Sequence, residues 1–513
     1  MGGWTTQFKQ ALNEPQLFPR WSIEWVQIPT GTLRTFGGNI RLSSWDQGPG
    51  FAPLITPNSS FSGGRLTPRS WNAQPGAFQL TIDGFKGFAE RQIIQRGQVV
   101  TLRVGLRFNN VWHTEDVMLA QVMNITYTGR GWVLDCRGIE GALNSRWTTD
   151  SGKQLLCHDL ADTTVDSPYN TPGGTLDVAS TAGFRTDGQG TGMLLVTDNN
   201  GEQYFVSYTN TTATSFTGCT ANIFGTTHDN TAIGNRVQEV AYTRGHPLKV
   251  LERILKSTGQ GTNGTDDILP ESWGFGIDAE LIDDRDILEH IDYTRPTTGG
   301  NNWDLLITET VNDAQAFLNN WLNGAGYFIT QHQGRLTGRA ALLPWAQGTS
   351  GTYIITDDDI ESITGYWQWG ADSSNASEYQ RTQVTFADGP FERSALSEVD
   401  HLPAKGINNH VCGGLYSDNG NATALITELV ARLKEWDIRT PEIMRLTLRG
   451  WKHGQASPGD TVKLTTGLFP SRDGLPFVDR DCLVLRSSPN WFGASTDIEL
   501  AILPADEVVP WRA

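Results

Sequence analysis

The sequence has few of the features that build metal sites, disulfide frameworks and membrane spans. Its five cysteines stand far apart, and no two of them form a C-x-x-C pair; they are Cys136, Cys157, Cys219, Cys412 and Cys482. This spacing argues against a structural zinc site or a disulfide framework, so we expect free, mostly buried thiols. No run of about 18 consecutive apolar residues occurs, so we expect no membrane span. The first residues lack a basic segment followed by an apolar run, so we expect no secretory signal.

Basic residues are also scarce. The chain has 39 Lys and Arg against 56 Asp and Glu, a formal net charge of −17 and a pI near 5.0. Proteins that grip nucleic acid normally carry a basic face, so specific DNA or RNA binding is not expected. An acidic surface would suit a channel that DNA passes through without sticking, because carboxylates repel phosphates.

The common catalytic and cofactor motifs are missing. No nucleophile elbow follows a predicted strand, no H-E-x-x-H occurs, and "GQGTNGTDD" lacks the Lys-Ser/Thr of a phosphate-binding loop. The nine histidines are scattered, and neither His158 beside Cys157 nor His290 in "ILEHIDY" has ligand spacing. We therefore predict no catalytic, cofactor-binding or metal-ligating residues and no cofactor.

Two acidic runs are the best candidates for a site. They hold Asp283, Asp284, Asp286, Glu289 and Asp292 in "IDDRDILEHID", and Asp357–Asp359 and Glu361 in "TDDDIES". Paired carboxylates can hydrolyse glycosidic bonds, but the isolated Ile and Leu among these acids are typical of a solvated helix face or strand edge. We interpret both runs as surface charge, with a metal or interface role and catalysis as alternatives.

Two further stretches have a structural and a chemical interpretation. Trp367 and Trp369 in "YWQWG" lie two apart on a predicted strand, which favours core or inter-subunit packing over carbohydrate stacking. In "HGQASPGD", Pro458-Gly459 predicts a turn between two strands, with Asp460 at the start of the second. His453 and Asp460 are therefore interpreted as turn residues and not as a catalytic pair.

Strand patterns dominate both ends of the chain, and helices occur between them. Period-two alternation is clear in "GAFQLTIDG" and "VVTLRVGLR" near the start and in "DTVKLTT", "DCLVLRSS" and "TDIELAIL" near the end. Three segments have helical spacing, namely "HPLKVLERILKSTG", "NDAQAFLNNWLNGAG" and "NATALITELVARLKEW". The sequence predicts a mainly β fold with an α+β middle.

The predicted organisation has four parts. Residues 1–167 form an N-terminal β-barrel domain, and residues 168–240 form an inserted β module rich in Thr, Gly and Asn. Residues 241–400 form the mixed α+β middle, and residues 401–513 form a helix followed by a second β domain.

The order of these parts resembles a bacteriophage tail baseplate hub protein, the tail-tip hub of long-tailed phages. The resemblance is carried by "HPLKVLERIL", by the helix, Gly stop and hairpin of "FLNNWLNGAGYFITQHQGRL", and by "GDTVKL" followed by more strands. The stretch "YFVSYTNTTATSFTGCTANIFGTTHDN" is similar to a small module of phage tail proteins. The inserted module departs from the usual hub pattern.

The resemblance implies a structural protein without enzymatic activity. It implies two tail-tube-like barrel domains in each subunit and a homotrimer, whose six barrels dock on a sixfold tube and present a threefold face to the tip. The implied partners are the tail tube or distal tail protein, tail tip or fibre proteins, and passing DNA that is not bound specifically. The implied location is the virion tail, after assembly in the host cytoplasm. The alternatives are a hexameric distal tail ring protein and a polysaccharide-degrading tail enzyme.

Overall fold

A computed structural model of the chain describes most of its residues. The described residues are 4–13, 20–25, 41–43, 51–53, 55, 59–67, 70–83, 96–129, 131–141, 143, 160–170, 173–184, 191–224, 226–227, 230–256, 267–268, 275, 277, 279–294, 302–340, 353–368, 381–387, 393–399, 407–416, 422–439, 441–471, 474–491 and 494–502. Within these ranges no helix is both long enough and apolar enough to cross a membrane.

The described part of the chain contains five α helices and thirty strands. The helices are α1 (Thr6–Ala11), α2 (Pro247–Lys256), α3 (Asp284–Thr294), α4 (Ala314–Gly324) and α5 (Thr423–Arg439). The strands are β1 (Arg20–Trp25), β2 (Arg41–Ser43), β3 (Phe51–Pro53), β4 (Ser60–Ser62), β5 (Arg65–Leu66), β6 (Ala73–Gln74), β7 (Ala77–Asp83), β8 (Val99–Phe108), β9 (Val111–Tyr127), β10 (Gly131–Gly138), β11 (Asp162–Thr164), β12 (Gly174–Asp177), β13 (Gly192–Thr197), β14 (Gln203–Tyr208), β15 (Asn210–Thr211), β16 (Ser215–Ile223), β17 (Arg236–Gly245), β18 (Asp267–Ile268), β19 (Trp303–Ile307), β20 (Tyr327–His332), β21 (Arg335–Ala340), β22 (Ile354–Ile355), β23 (Ile360–Gln368), β24 (Arg381–Ala387), β25 (Arg393–Val399), β26 (Ile407–Tyr416), β27 (Glu442–Arg449), β28 (Thr461–Pro470), β29 (Pro476–Asn490) and β30 (Ser495–Ile502).

Three large sheets hold most of these strands. The N-terminal sheet has the order β3-β2-β1-β8-β9-β10-β7-β4. The C-terminal sheet has the order β22-β28-β29-β30-β27-β23, with β5 and β6 attached to β29. The middle sheet has twelve strands, most of them in the order β12-β16-β14-β13-β17-β19-β26-β24-β25. The remaining pair, β20 and β21, forms a separate hairpin.

The predicted fold class is confirmed: the chain is mainly β, with a curled half-barrel sheet and helices concentrated in the middle. In the two eight-stranded sheets, the end strands do not pair with each other within the described residues. Successive side chains of a strand point to opposite faces of the sheet, so apolar residues at every second position bury one face. Phe78, Leu80 and Ile82 are buried in this way along β7.

The three helices predicted from spacing are present and bury the expected stripes. In α4, Leu318 and Trp321 are buried, and Asp313 caps the N-terminus by accepting a hydrogen bond from the amide of Ala316 at 2.8 Å. The buried apolar residues of α2 are Leu248, Val250, Leu251, Ile254 and Leu255, and those of α5 are Leu425, Ile426, Leu429, Val430, Leu433 and Trp436. These stripes join the largest core, which also contains residues from all three sheets.

The predicted inserted module belongs to the middle sheet. The turn "DNNGE" joins β13 to β14, and the module has its own core around Leu194, Tyr204 and Phe216. Its last strand, β17, pairs with β13 through residues 237–240 and with β19 through residues 241–245. The predicted boundary at residue 240 therefore falls inside one continuous strand.

The two eight-stranded sheets contain the same four-strand unit. In the N repeat (β7 to β10) and in the C repeat (β27 to β30), the second, third and fourth strands are sequential neighbours, and the first strand pairs with the fourth. The strand lengths are 7, 10, 17 and 8 residues in the N repeat and 8, 10, 15 and 8 in the C repeat. The chain therefore builds one topology twice.

Bulges fix the correspondence between the repeats. Met123 is the extra residue of β9 opposite β10, and Leu485 is the extra residue of β29 opposite β30. Because each of these bulges offsets the register at a single place, matching Met123 with Leu485 aligns the β9–β10 and β7–β10 pairs with the β29–β30 and β27–β30 pairs. Val122 then corresponds to Val484.

The turn that enters the second strand of each repeat confirms this alignment. The amide of Gly97 donates to the carbonyl of Val122 at 2.8 Å, and the amide of Gly459 donates to that of Val484 at 2.9 Å. The two glycines have φ angles of +93° and +94°, a conformation that L side chains rarely adopt. "GQVVTL" and "GDTVKL" are thus the same structural element, and they share the Gly, the second Val position and the Leu.

Candidate functional site at the junction of the sheets

The densest group of buried charges lies where α3, β21 and the turn before β28 meet. Arg339 is fully buried and holds Asp286 through two 2.7 Å hydrogen bonds, from Nε to Oδ2 and from Nη2 to Oδ1. Its Nη1 donates to the carbonyl of Pro458 at 3.1 Å and to Asp460 Oδ1 at 2.9 Å. A planar guanidinium suits this fork of acceptors, and Arg339 and Asp286 are paired in the interior, while Asp460 is partly exposed.

Neighbouring groups complete this cluster. His332 Nδ1 lies 2.9 Å from Asp283 Oδ2, and Thr337 donates to Asp286 Oδ2 at 2.7 Å. Despite the burial of Asp286, its pKa is held well below its usual range by Arg339 and the nearby histidines. The interpretation of the first acidic run as a solvated face is therefore wrong for Asp283 and Asp286, which are 4% and 8% exposed.

His290 lies fully buried beside this cluster. Burial lowers its pKa from 6.5 to about 4, although Asp286 opposes that shift. Its Nδ1 accepts the amide of Ala340 at 3.4 Å, so the neutral ring carries its proton on Nε2. His290 therefore bonds to the protein backbone, and no group of three or more metal-ligating side chains occurs in the described part of the chain.

The turn at "HGQASPGD" is confirmed, and it also has a packing role. The amide of Asp460 donates to the carbonyl of Ser457 at 3.0 Å, while Asp460 faces Arg339. His453 is 2% exposed, and its Nε2 lies 3.4 Å from Asp359 Oδ2. Burial lowers the pKa of His453. His453 and Asp460 thus belong to different contacts and do not form a pair.

The second acidic run divides between surface and interior. Asp357 and Asp358 are exposed, as predicted. Asp359 is partly buried, accepts Lys452 Nζ at 2.8 Å and caps the local turn through Thr356. Its pKa is lowered by these bonds against the effect of burial. Asp357 Oδ2 also accepts the Gly467 amide at 3.2 Å. The run therefore serves local structure at Asp357 and Asp359, and Asp358 and Glu361 are exposed.

A cleft lies at the same junction. Its wall includes Glu140, which is 4% exposed; burial raises the pKa of this carboxyl. The Gln331 side-chain amide donates to Glu140 and to the carbonyl of Leu119, and Gln331 Oε1 accepts the Leu119 amide at 2.8 Å. These bonds fasten the β20–β21 hairpin to the N-terminal sheet.

Aromatic packing seals the contact between the two eight-stranded sheets. Trp451 and Trp491 come from the C-terminal sheet but belong to the core of the N-terminal sheet. The Trp491 ring lies 6.3 Å from that of Trp4 and 6.5 Å from that of Phe61, both in edge-on contacts. The two sheets are therefore packed as one unit.

The remaining candidates have packing roles where they are described. Trp367 packs against the largest core, with the Arg445 guanidinium 4.6 Å from its ring, which confirms the packing interpretation. Cys136, Cys219, Cys412 and Cys482 are free and buried, and burial raises the pKa of Cys219 to about 11. Trp369, Cys157 and His158 lie outside the described residues.

The sequence interpretation missed Arg339 and Glu140. Arg339 sits in "GRLTGRAALL", where one charged residue interrupts a buried strand, and this was the available signal. Glu140 follows β10 and had no signal, since its burial depends on Gln331, far away in the sequence.

No protein-family model and no curated protein matches the chain. Among solved structures, the 43 kDa tail protein of prophage MuSo2 from Shewanella oneidensis is 11% identical, with a TM-score of 0.33 over 88% of this chain and 95% of that one. The chain is similar in structure to phage tail and baseplate proteins.

Two further structures have comparable coverage. An E. coli type VI secretion component, described as similar to the T4 tail proteins gp27 and gp5, is 7% identical, with a TM-score of 0.32 over 90% of this chain and 75% of that one. A chain of the P2 virion baseplate is 8% identical, with a TM-score of 0.22 over 88% and 90%.

Proposed function

We propose that the chain is a structural phage tail protein, a hub that caps the distal end of the tail tube. In this proposal three copies form a ring whose six sheet domains match a sixfold tube, while the ring offers a threefold face to the tip. DNA passes through its centre without specific binding. The observation that carries the proposal is the internal repeat, because three chains with two like domains each can present six like positions.

The contacts at the junction support a structural role. The two sheets share an aromatic core, and the middle hairpin is fastened to both of them through Gln331 and Arg339. Such contacts keep two like domains at a fixed relative position, which a symmetric ring requires. The net charge of −17 suits a DNA conduit to the extent that the carboxylates face the channel.

The carboxylates of the junction support a role without catalysis. Asp283 and Asp286 face His332 and Arg339, and the pKa of each is lowered. A glycosidase needs one carboxyl with a raised pKa at about 5–10 Å from a second, opposite a groove for the sugar. Glu140 has a raised pKa, but its carboxyl group accepts a hydrogen bond from the Gln331 side-chain amide. This carboxyl group therefore has a structural contact within the protein.

Mass and imaging of the purified chain test the proposal. We expect a particle of three times the 56.4 kDa chain mass, with six lobes around a central hole in electron micrographs. A particle of six chains would favour the distal tail ring, and a single chain without a hole would refute the hub. Incubation with peptidoglycan or capsular polysaccharide should release no reducing ends; release would establish an enzyme.

A further inference from the structure

Within one chain, the turn between β4 and β5 covers an edge of β29. This edge of β29 pairs with β28 as far as Leu483, and past that point it pairs with β5 through Arg486 and Arg65. The Gly63 amide donates to Ser488 Oγ at 3.0 Å. A Cβ on Gly63 would lie 1.6 Å from the Ser487 carbonyl oxygen, so only glycine permits this approach. The N-terminal part of the chain thus closes an open edge of the C repeat.

A buried carboxylate anchors this joint. Glu499 is 3% exposed, and it accepts Arg65 Nη2 at 2.9 Å and Arg445 Nε at 3.0 Å. The register of the repeats makes Asp135 the counterpart of Glu499 and Gln79 the counterpart of Arg445. The Gln79 side-chain amide donates to Asp135 Oδ1 at 2.7 Å, which is the same contact with a neutral amide in place of the guanidinium.

The matching edge of the N repeat has no covering strand within the described residues. Arg486 corresponds to Asn124, so the edge of β9 that matches the joint runs from Asn124 to Tyr127. Only β10 pairs with this part of β9 in the described chain. Asn124, Thr126 and Tyr127 are exposed, with Tyr127 at 57%. An unpaired edge beside an exposed aromatic ring is a surface that another strand can cover.

The repeat also identifies the segment that matches the β4–β5 turn. Phe61 of β4 pairs with Phe78, and Tyr366 of β23 pairs with Met444. Because Phe78 corresponds to Met444, the end of β4 corresponds to the end of β23. In one chain the end of β4 leads to the C repeat, so the end of β23 is placed to lead to the N repeat of another chain.

We propose that the β9 edge from Asn124 to Tyr127 receives the C-terminal end of β23 from a second copy of this chain. The inference rests on the proposed hub, because it names the contact by which the copies join. N and C repeats then alternate around the ring, with one joint inside each chain and one between chains. The contact is head-to-tail, and in the three-membered ring of the proposed hub it leaves no β9 edge open.

Disulfide trapping tests the contact directly. Ser488 corresponds to Thr126 and Gly63 to Gln368, so a chain with Thr126→Cys and Gln368→Cys should crosslink between copies. Mild oxidation should give dimers and trimers on a denaturing gel, whereas a mixture of the two single variants should stop at dimers. Pairing Thr126→Cys with Glu361→Cys, at the opposite end of β23, should give no crosslink, and neither should the parent chain.

A lysine on the edge gives a second readout. Thr126→Lys should raise the concentration at which the particle dissociates about tenfold, because a charged side chain blocks strand pairing. Thr175→Lys, an equally exposed change in the inserted module, should leave dissociation unchanged. Light scattering against concentration measures both, with circular dichroism to verify folding.

The outcomes separate this inference from the function. If the parent chain is a trimer but no crosslink forms and Thr126→Lys does not weaken it, the inference is wrong and the hub stands. If the parent chain is a monomer at all concentrations, the hub fails and the inference fails with it. A trimer that crosslinks and is weakened by the lysine supports both.

Discussion

At the scale of single residues, the chain keeps charge in its interior by close pairing. Arg339 and Asp286 are buried together, Asp460 meets Arg339 from a partly exposed position, and His290 beside them is kept neutral. Removing one member of such a group costs more than the group contributes as a whole, because the remaining charge stays buried and unpaired. Two predictions concern these buried groups.

Replacement of Arg339 should be strongly destabilising. Arg339→Met leaves Asp286 as a buried carboxylate without its guanidinium, and we expect a loss of about 3–5 kcal/mol in the free energy of unfolding. Adding Asp286→Leu should recover part of this loss. Arg236→Met is the control, since Arg236 and Asp162 form an exposed pair at 3.4 Å and should cost less than about 1 kcal/mol. Urea unfolding measures the free energy of unfolding of the parent chain and of the three variants. A double variant no more stable than Arg339→Met would contradict the account.

His290 should make stability depend on pH in a defined window. Its pKa is 6.5 when unfolded and about 4 when folded, so the unfolded state binds the proton first. The contribution is complete above pH 6.5, is lost as the pH falls toward 4, and changes no further below that. The full loss amounts to about 3 kcal/mol. Unfolding of the parent and of His290→Asn across this range measures it; equal slopes would refute the assignment.

At the scale of elements, the two repeats show how different residues build one topology. Two residues before each second strand lies a glycine with positive φ, and each third strand carries a bulge at the same place. These are backbone requirements, so they constrain residue type at few positions and leave the others free to differ.

The two turn glycines give a graded prediction. Gly97→Ala and Gly459→Ala should each cost about 1–2 kcal/mol, because the left-handed conformation disfavours a Cβ. Gly459→Ala should cost more, since its Cβ would lie 3.1 Å from Phe328 Cζ, whereas that of Gly97 would have no atom nearer than 3.9 Å. Gly467→Ala is the control, because Gly467 lies in β28, the strand that follows the Gly459 turn. Thermal unfolding midpoints compare them, and the reverse order would contradict the packing argument.

At the scale of the whole molecule, the structure joins what the sequence divides into domains. The middle sheet extends through β17 into the inserted module, and the C-terminal sheet takes β5 and β6 from the N-terminal part. The module itself leaves and rejoins the chain at one place, where the Val165 amide donates to the Asn235 carbonyl at 2.9 Å.

The pairing of β11 with β17 defines a removable segment between them. Replacing residues 168–233 with a short glycine linker keeps β11 and β17 paired, so we expect a soluble particle with an unchanged number of chains. Deletion of 168–240 also removes the half of β17 that includes the buried Val237 and Val240, and we expect insoluble protein. Solubility and light scattering measure both. An insoluble product from the shorter deletion would show that the module is part of the core.

The sequence by itself determined the local structure, and the tertiary structure decided the rest. Apolar spacing was enough for the three helices and for strands such as β7 and β28, because burial on one face follows from a local period. The "HGQASPGD" turn was likewise local, since Pro458-Gly459 sets its backbone. The burial of Asp286, the partner of Glu140 and the match of Gly97 with Gly459 depend on segments far apart in the chain. Such contacts leave no periodic trace in the sequence, because only the folded backbone brings their partners together.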